Sequence, residues 1–87
     1  MKTQNMLSSN GNPVPNQFEL FVDGKRIFQS YRSTIAIMEA NKPTLLDAEK
    51  WDYSVTTGKY RNQFLGESIK ETRAKIASGE YILTNLN

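Results

Sequence analysis

The sequence contains no cysteine and no histidine. The first absence excludes a disulfide, a zinc–thiolate site and a cysteine nucleophile. The second removes the commonest general base and the commonest metal ligand. No apolar run reaches the roughly 18 residues that a membrane-spanning helix needs. The start, Met1 to Asn5, lacks the apolar stretch of a signal peptide, so the expected setting is soluble and cytoplasmic. A surplus of charge is missing too. Eleven Lys and Arg stand against nine Asp and Glu, a net +2. Mimicry of DNA normally needs strong acidity, and this charge has the wrong sign. Its mild basicity favours nucleic acid only weakly.

With 87 residues the chain is one small domain. Such a chain buries only roughly 60–65% of the surface that its unfolded form exposes. Residues 1–16 are rich in turn formers, with Ser8-Ser9-Asn10-Gly11-Asn12-Pro13 at their centre. They read as a flexible N-terminal arm on a domain over 17–87. From Gln17 to Val22 the side chains alternate with period 2, the pattern of a strand. Asp23-Gly24 follows, the dipeptide favoured in a two-residue hairpin because both positions need positive φ. That turn pairs Val22 with Lys25, Leu20 with Ile27 and Glu19 with Phe28. Phe18, Leu20 and Ile27 then share one face, with Phe21 and Phe28 on the other. Both faces carry apolar area. Thr34–Met38 is a third strand, reached through Ser30-Tyr31-Arg32-Ser33, and Thr44–Leu46 a short fourth.

The second half changes character. Asp47 to Trp51 is a polar turn or short helix. Ser54 is placed to cap a helix over Val55–Leu65 that Gly66 ends. Ser68-Ile69-Lys70-Glu71 matches a capping box, and Gly79 stands at a helix C-terminus. Tyr81–Thr84 is β-prone, a last strand or a packing segment. The expected fold is α+β: a three- to four-stranded antiparallel meander packed with one or two C-terminal helices.

No catalytic set, cofactor site or metal site emerges. Gly58-Lys59 lacks the upstream glycine and the following Ser/Thr of a phosphate loop. Asp47, Glu49 and Asp52 are carboxylates in a polar turn, and the Ser and Thr hydroxyls have no histidine to activate them. The dense segment is Trp51 to Leu65, with four aromatics and two cations in fifteen residues. Trp51, Tyr60 and Phe64 are assigned to the core. Tyr53, Lys59, Arg61 and Asn62, with Tyr31 and Arg32, are assigned to a partner-binding surface, because Tyr and Arg are enriched in interface hot spots. Between Lys50 and Lys75 six cations face three anions. Lys59, Arg61, Lys70 and Arg73 therefore form an alternative, nucleic-acid-binding set. Glu71 and Lys75 are spaced to pair along a helix.

The run Trp51-Asp52-Tyr53-Ser54, Thr56-Thr57-Gly58-Lys59-Tyr60-Arg61-Asn62-Gln63-Phe64-Leu65-Gly66-Glu67 resembles a family of small proteins. These are encoded by phages and plasmids of Gram-positive bacteria and carry a domain of unknown function. Phe28–Tyr31, Ser33–Ala36, Glu71-Thr72-Arg73 and Leu83–Asn87 extend the resemblance. It implies no catalytic residue. It implies a setting in which small non-enzymatic proteins act by binding. The leading expectation is inhibition of a host defence effector, such as a CRISPR nuclease. The alternatives are a nucleic-acid-binding accessory protein and a structural or assembly component. A host protein is the expected partner, and no membrane is expected.

Overall fold

A computed structural model describes residues 1–87. Eight elements follow in order: β1 (Lys2–Leu7), β2 (Pro13–Val22), β3 (Lys25–Ser30), β4 (Ser33–Glu39), β5 (Thr44–Asp47), α1 (Val55–Leu65), α2 (Ile69–Ser78) and β6 (Tyr81–Thr84). The six strands form one sheet in sequence order. Strands β1 to β5 are an antiparallel meander, and β6 returns parallel to β5. A parallel return needs a crossover, and the two helices supply it.

The sheet is larger than the three or four strands expected. One added strand is β6. The other is β1, made from the segment expected to be a flexible arm, while Pro13 to Asn16 open β2. Backbone pairing runs from Lys2 opposite Phe21 to Leu7 opposite Pro13. Composition misleads here because Ser8 to Asn12 are only the hairpin turn. The strand itself hides behind polar residues and contributes one core side chain, Met6. As an edge strand it needs no second apolar face.

The Asp23-Gly24 hairpin has the expected register, Val22 with Lys25, Leu20 with Ile27 and Glu19 with Phe28. Asp23 and Gly24 both take positive φ, 50° and 77°. A register shift between Phe28 and Gln29 leaves Ile35 unpaired on β4, so Ile35 and Ala36 both enter the core. Phe28, Leu46, Tyr60, Phe64 and Tyr81 complete it with Met6. Phe28 and Phe64 stack at 5.7 Å, which docks α1 on the sheet. Arg26 lies over the other part of that contact, 4.7 Å from the Phe64 ring centre, and pairs with Glu19. Trp51 is half-buried at the edge of this core.

Gly24→Val places a β-branched side chain at positive φ, a conformation that costs roughly 1–3 kcal/mol. A Cβ there meets no neighbour within 4 Å, so the loss reports backbone strain alone. The denaturant midpoint should fall by the matching amount, and an unchanged midpoint would show that the turn does not set the register.

Candidate functional site

Helix α1 begins where its sequence directs. The Ser54 side chain accepts the Thr57 N–H, and Gly66 ends the helix in the left-handed region. Thr57 is fully buried and shares a 2.8 Å hydrogen bond with Ser30 Oγ, tying the helix to the end of β3. The next residue, Tyr31, opens the β3–β4 turn at φ 57°, unusual for a bulky side chain, and is exposed beside exposed Arg32. Its N–H donates to the Asn16 carbonyl, and the Gln29 side chain donates to the Tyr31 carbonyl.

Arg61 was assigned to a binding surface, and the structure overturns that. Its side chain is 1% exposed. Nη1 donates to the Trp51 carbonyl at 2.7 Å and to Asp52 Oδ1 at 3.1 Å, and Nη2 donates to Asn62 Oδ1 at 2.9 Å. The guanidinium lies 5.2 Å from the Trp51 ring centre. Helical spacing places Arg61 about 100° from Tyr60, at the margin of the buried stripe. It does not reveal that residues 51–52 fold over that margin and bring a carbonyl, a carboxylate and an indole. A cation needs such partners to be buried. Asn62, the neighbouring candidate, is half-buried as an acceptor for Arg61.

The other candidates remain accessible. Tyr53 is 47% exposed. Lys59 is exposed, with its Nζ 5.4 Å from the Tyr60 ring centre. Lys70 is exposed, and Arg73 is exposed while pairing with Asp52 Oδ2 at 3.2 Å. Asp52 therefore bridges a buried and an exposed arginine. An open groove of about 530 Å³ lies between the start of α1 and α2, with Ser54, Lys59, Asn62, Ile69 and Arg73 in its walls. Val55, the first residue of α1, also borders it and is 91% exposed. Sequence reading missed Val55, because an N-terminal helix position says nothing about which way an apolar residue faces. The nucleic-acid set of Lys59, Arg61, Lys70 and Arg73 loses Arg61 to the interior.

Two further carboxylates hold the crossover. Asp47 is buried at the end of β5 rather than solvated in a turn. Its carboxylate accepts N–H bonds from Leu86, Lys50 and Glu49. Burial pushes its pKa up, but these bonds and the Asn87 side chain together outweigh that and hold it below the usual value. Asn87 also pairs with both backbone groups of Thr34, so the tail closes over the ends of β4 and β5. Glu67 accepts from Thr72 Oγ1, Lys75 Nζ and Tyr81 Oη. Burial again pushes up, and the bonds from Lys75, Thr72 and Tyr81 pull Glu67 below its usual value. Tyr81 is pushed up to about 12 by burial and by its bond to Glu67. Lys75 thus pairs with Glu67 and more loosely with Glu80, not with Glu71 as its spacing suggested. Glu71 is occupied by the capping box with Ser68.

The sequence matches a family of unknown function (DUF8033) over residues 1–81. The chain belongs to this family. The match includes β1, so the N-terminal strand falls within the family's domain along with the meander and both helices. No curated protein matches, and no solved structure matches.

Two outcomes test these assignments. Arg61→Ala leaves the Trp51 carbonyl unpaired and opens a hole in the interior. It should cost about 3 kcal/mol in chemical denaturation. Gly58→Ala, on the adjoining turn, should cost nothing and gain up to about 1 kcal/mol of helix propensity. A Cβ at Gly58 would sit 3.6 Å from the Arg61 Nη atoms, an ordinary contact. A small effect of Arg61→Ala would refute the burial role.

The second outcome concerns pH. Asp47 and Glu67 have folded-state pKa values below their unfolded values of 3.8 and 4.5. Their stabilisation is therefore complete above those values and is lost as pH falls through the lowered ones. Stability should be flat from about pH 6 to 8 and decline steadily below about pH 4.5. Asp47→Asn should lower the plateau and flatten the acid limb, read by denaturation at stepped pH.

Proposed function

We propose that this chain is a non-catalytic binding protein that inhibits a host defence effector, such as a CRISPR nuclease, by covering part of its surface. The observation that carries the reading is the exposed Val55 in the wall of the open groove between α1 and α2, two residues after the exposed Tyr53. A solvent-exposed valine that shares the groove wall with Lys59 and Arg73 forms the kind of anchor-and-rim arrangement that interface hot spots use, and Tyr53 adds an exposed aromatic on the preceding loop. The loop that carries Tyr53 is held rigid by the Trp51 and Asp52 contacts to Arg61, so little order is lost on binding. Tyr31 and Arg32 offer a second exposed contact at the β3–β4 turn.

The target class comes from the resemblance of the Trp51–Glu67 run to small proteins of mobile elements. The chemistry of the chain agrees with action by binding. Of the three carboxylates considered for hydrolysis, two are engaged as structural acceptors, Asp47 by backbone N–H groups and Asp52 by two arginines, and Glu49 is exposed. The near-neutral charge points to a mixed protein surface rather than to substitution for DNA.

The test is protection from interference. Cells carrying an active CRISPR nuclease, or one of a panel of other defence effectors, are challenged with phage while expressing the chain. Plaquing should recover in at least one case, and the purified effector should bind the chain equally well after nuclease treatment. Tyr53→Ala and Val55→Asp should each weaken that binding by about 2 kcal/mol, the hot-spot scale. Val55→Asp should leave the fold intact, since α1 has no acid in its first turn and a helix N-terminus favours one. No recovery across the panel would sink the target class. Binding that vanishes on nuclease treatment would instead favour the nucleic-acid reading through Lys59, Lys70 and Arg73.

A further inference from the structure

The helices cover only one face of the sheet. Phe28, Ser30, Arg26 and Leu46 point to that face, where they meet Phe64, Thr57 and the rest of the core. The alternate residues point the other way. Across strands β2 to β6 the register aligns Leu20 with Ile27, Ile27 with Ile37, Ile37 with Leu45 and Leu45 with Ile82. Five branched aliphatic side chains thus form one unbroken row. Phe18 and Val22 flank it on β2. None of these seven belongs to the core or packs against it. Ile82 is 43% exposed, and the others are half-buried only by their own neighbours. A sheet this small gains nothing in folding from a second apolar face open to water, and contiguous apolar patches on monomers mark interaction sites.

We propose that this face binds a second copy of the chain, sheet on sheet, about a two-fold axis. The axis runs along the strands midway between β3 and β4, the centre of the six-stranded sheet. That operation sets Ile27 over the partner's Ile37 and Leu20 over the partner's Leu45. It also sets Lys25 over the partner's Glu39, because Lys25 and Glu39 are register partners on either side of the axis. The two-fold repeats each pairing, so the interface is self-complementary in shape and in charge. Aligned packing of two sheets buries such rows between them about 10 Å apart.

The area is sufficient. Five inter-strand spacings of about 4.8 Å give a width of about 24 Å, and six residues at about 3.3 Å give a depth of about 20 Å. Each copy contributes about 480 Å² in projection and more along its side-chain relief. The pair therefore buries about 960 Å² in projection, in the range of weak, transient interfaces below about 1,200 Å² in total. The expected dimer is one that dissociates on dilution. This surface is distinct from the groove lined by Val55, so either proposal can fail without the other.

Sedimentation equilibrium from about 1 µM to 1 mM reads the result. The mass should rise with concentration from 9.9 kDa to twice that value and stop there. Ile37→Lys should stay monomeric over the whole range, with unchanged far-ultraviolet circular dichroism. Lys25→Glu and Glu39→Lys should each weaken self-association by about tenfold, from two like-charge contacts. An equimolar mixture of the two should recover the wild-type association, because the heterodimer restores both opposite-charge pairs. A monomer at every concentration would overturn the proposal. So would an Ile37→Lys dimer of wild-type strength, or a mixture no stronger than its components.

Discussion

The buried guanidinium of Arg61 organises the half of the molecule that follows the meander. Between β5 and α1 the chain has seven residues, 48 to 54, with no regular structure to hold them. Arg61 supplies what a ladder would supply elsewhere. It satisfies the Trp51 carbonyl, fixes the Asp52 carboxylate and lies against the Trp51 ring. Asp52 in turn reaches Arg73 on α2. One side chain on α1 therefore sets the loop before it and, through a shared carboxylate, the helix after it. Burying a charge is costly, and the cost is offset only because the fork geometry of arginine uses several acceptors at once. Lysine, with a point charge, would not replace it.

The same logic recurs at the other end of the crossover. A short parallel strand is the weakest way to extend a sheet, and β6 has four residues. Glu67, just before α2, gathers Thr72, Lys75 and Tyr81, which joins the start of that helix to its last turn and to β6. Asp47 gathers the chain beyond β6. Ion pairs at an exposed surface are worth little. These are different because each carboxylate is buried and fully provided with donors. The small core is thereby supplemented by three polar locks, centred on Asp47, Arg61 and Glu67, along the segment with the least strand pairing.

Much of this fold is legible in the sequence where the signal is local. The Asp23-Gly24 hairpin with its register, the Ser54 cap, the Ser68–Glu71 capping box and the glycines that end both helices are all short-range rules, and the structure follows them. The misses have a common origin in distance. β1 has no apolar alternation of its own and exists because β2 offers it an edge. Lys75 is four residues after Glu71 and pairs with Glu67 instead, because the capping box has already engaged Glu71. Arg61 looked like a surface cation because its three acceptors come from a loop ten residues earlier and from a neighbouring amide. Tyr31, Arg32, Tyr53 and Lys59 stay exposed, and for Tyr53 and Lys59 the reason is the opposite one: they have no partner strong enough to draw them in.

The conspicuous run from Trp51 to Glu67 thus owes most of its character to structure. Trp51, Asp52, Ser54, Thr57, Arg61, Asn62, Phe64 and Glu67 all have identified contacts inside the molecule. A pattern that specific is what a polar lock demands, since each donor and acceptor must be of the right kind at the right place. Surfaces that bind need no such pattern. Leu20, Ile27, Ile37, Leu45 and Ile82 are ordinary strand residues, scattered over more than sixty positions, and become one feature only when the register sets them side by side. Period-2 alternation shows that β2 and β3 have apolar residues on both faces, but it cannot show that both helices choose the same side. That choice is made by Phe28 and Phe64, and it leaves the other face to whatever the molecule meets.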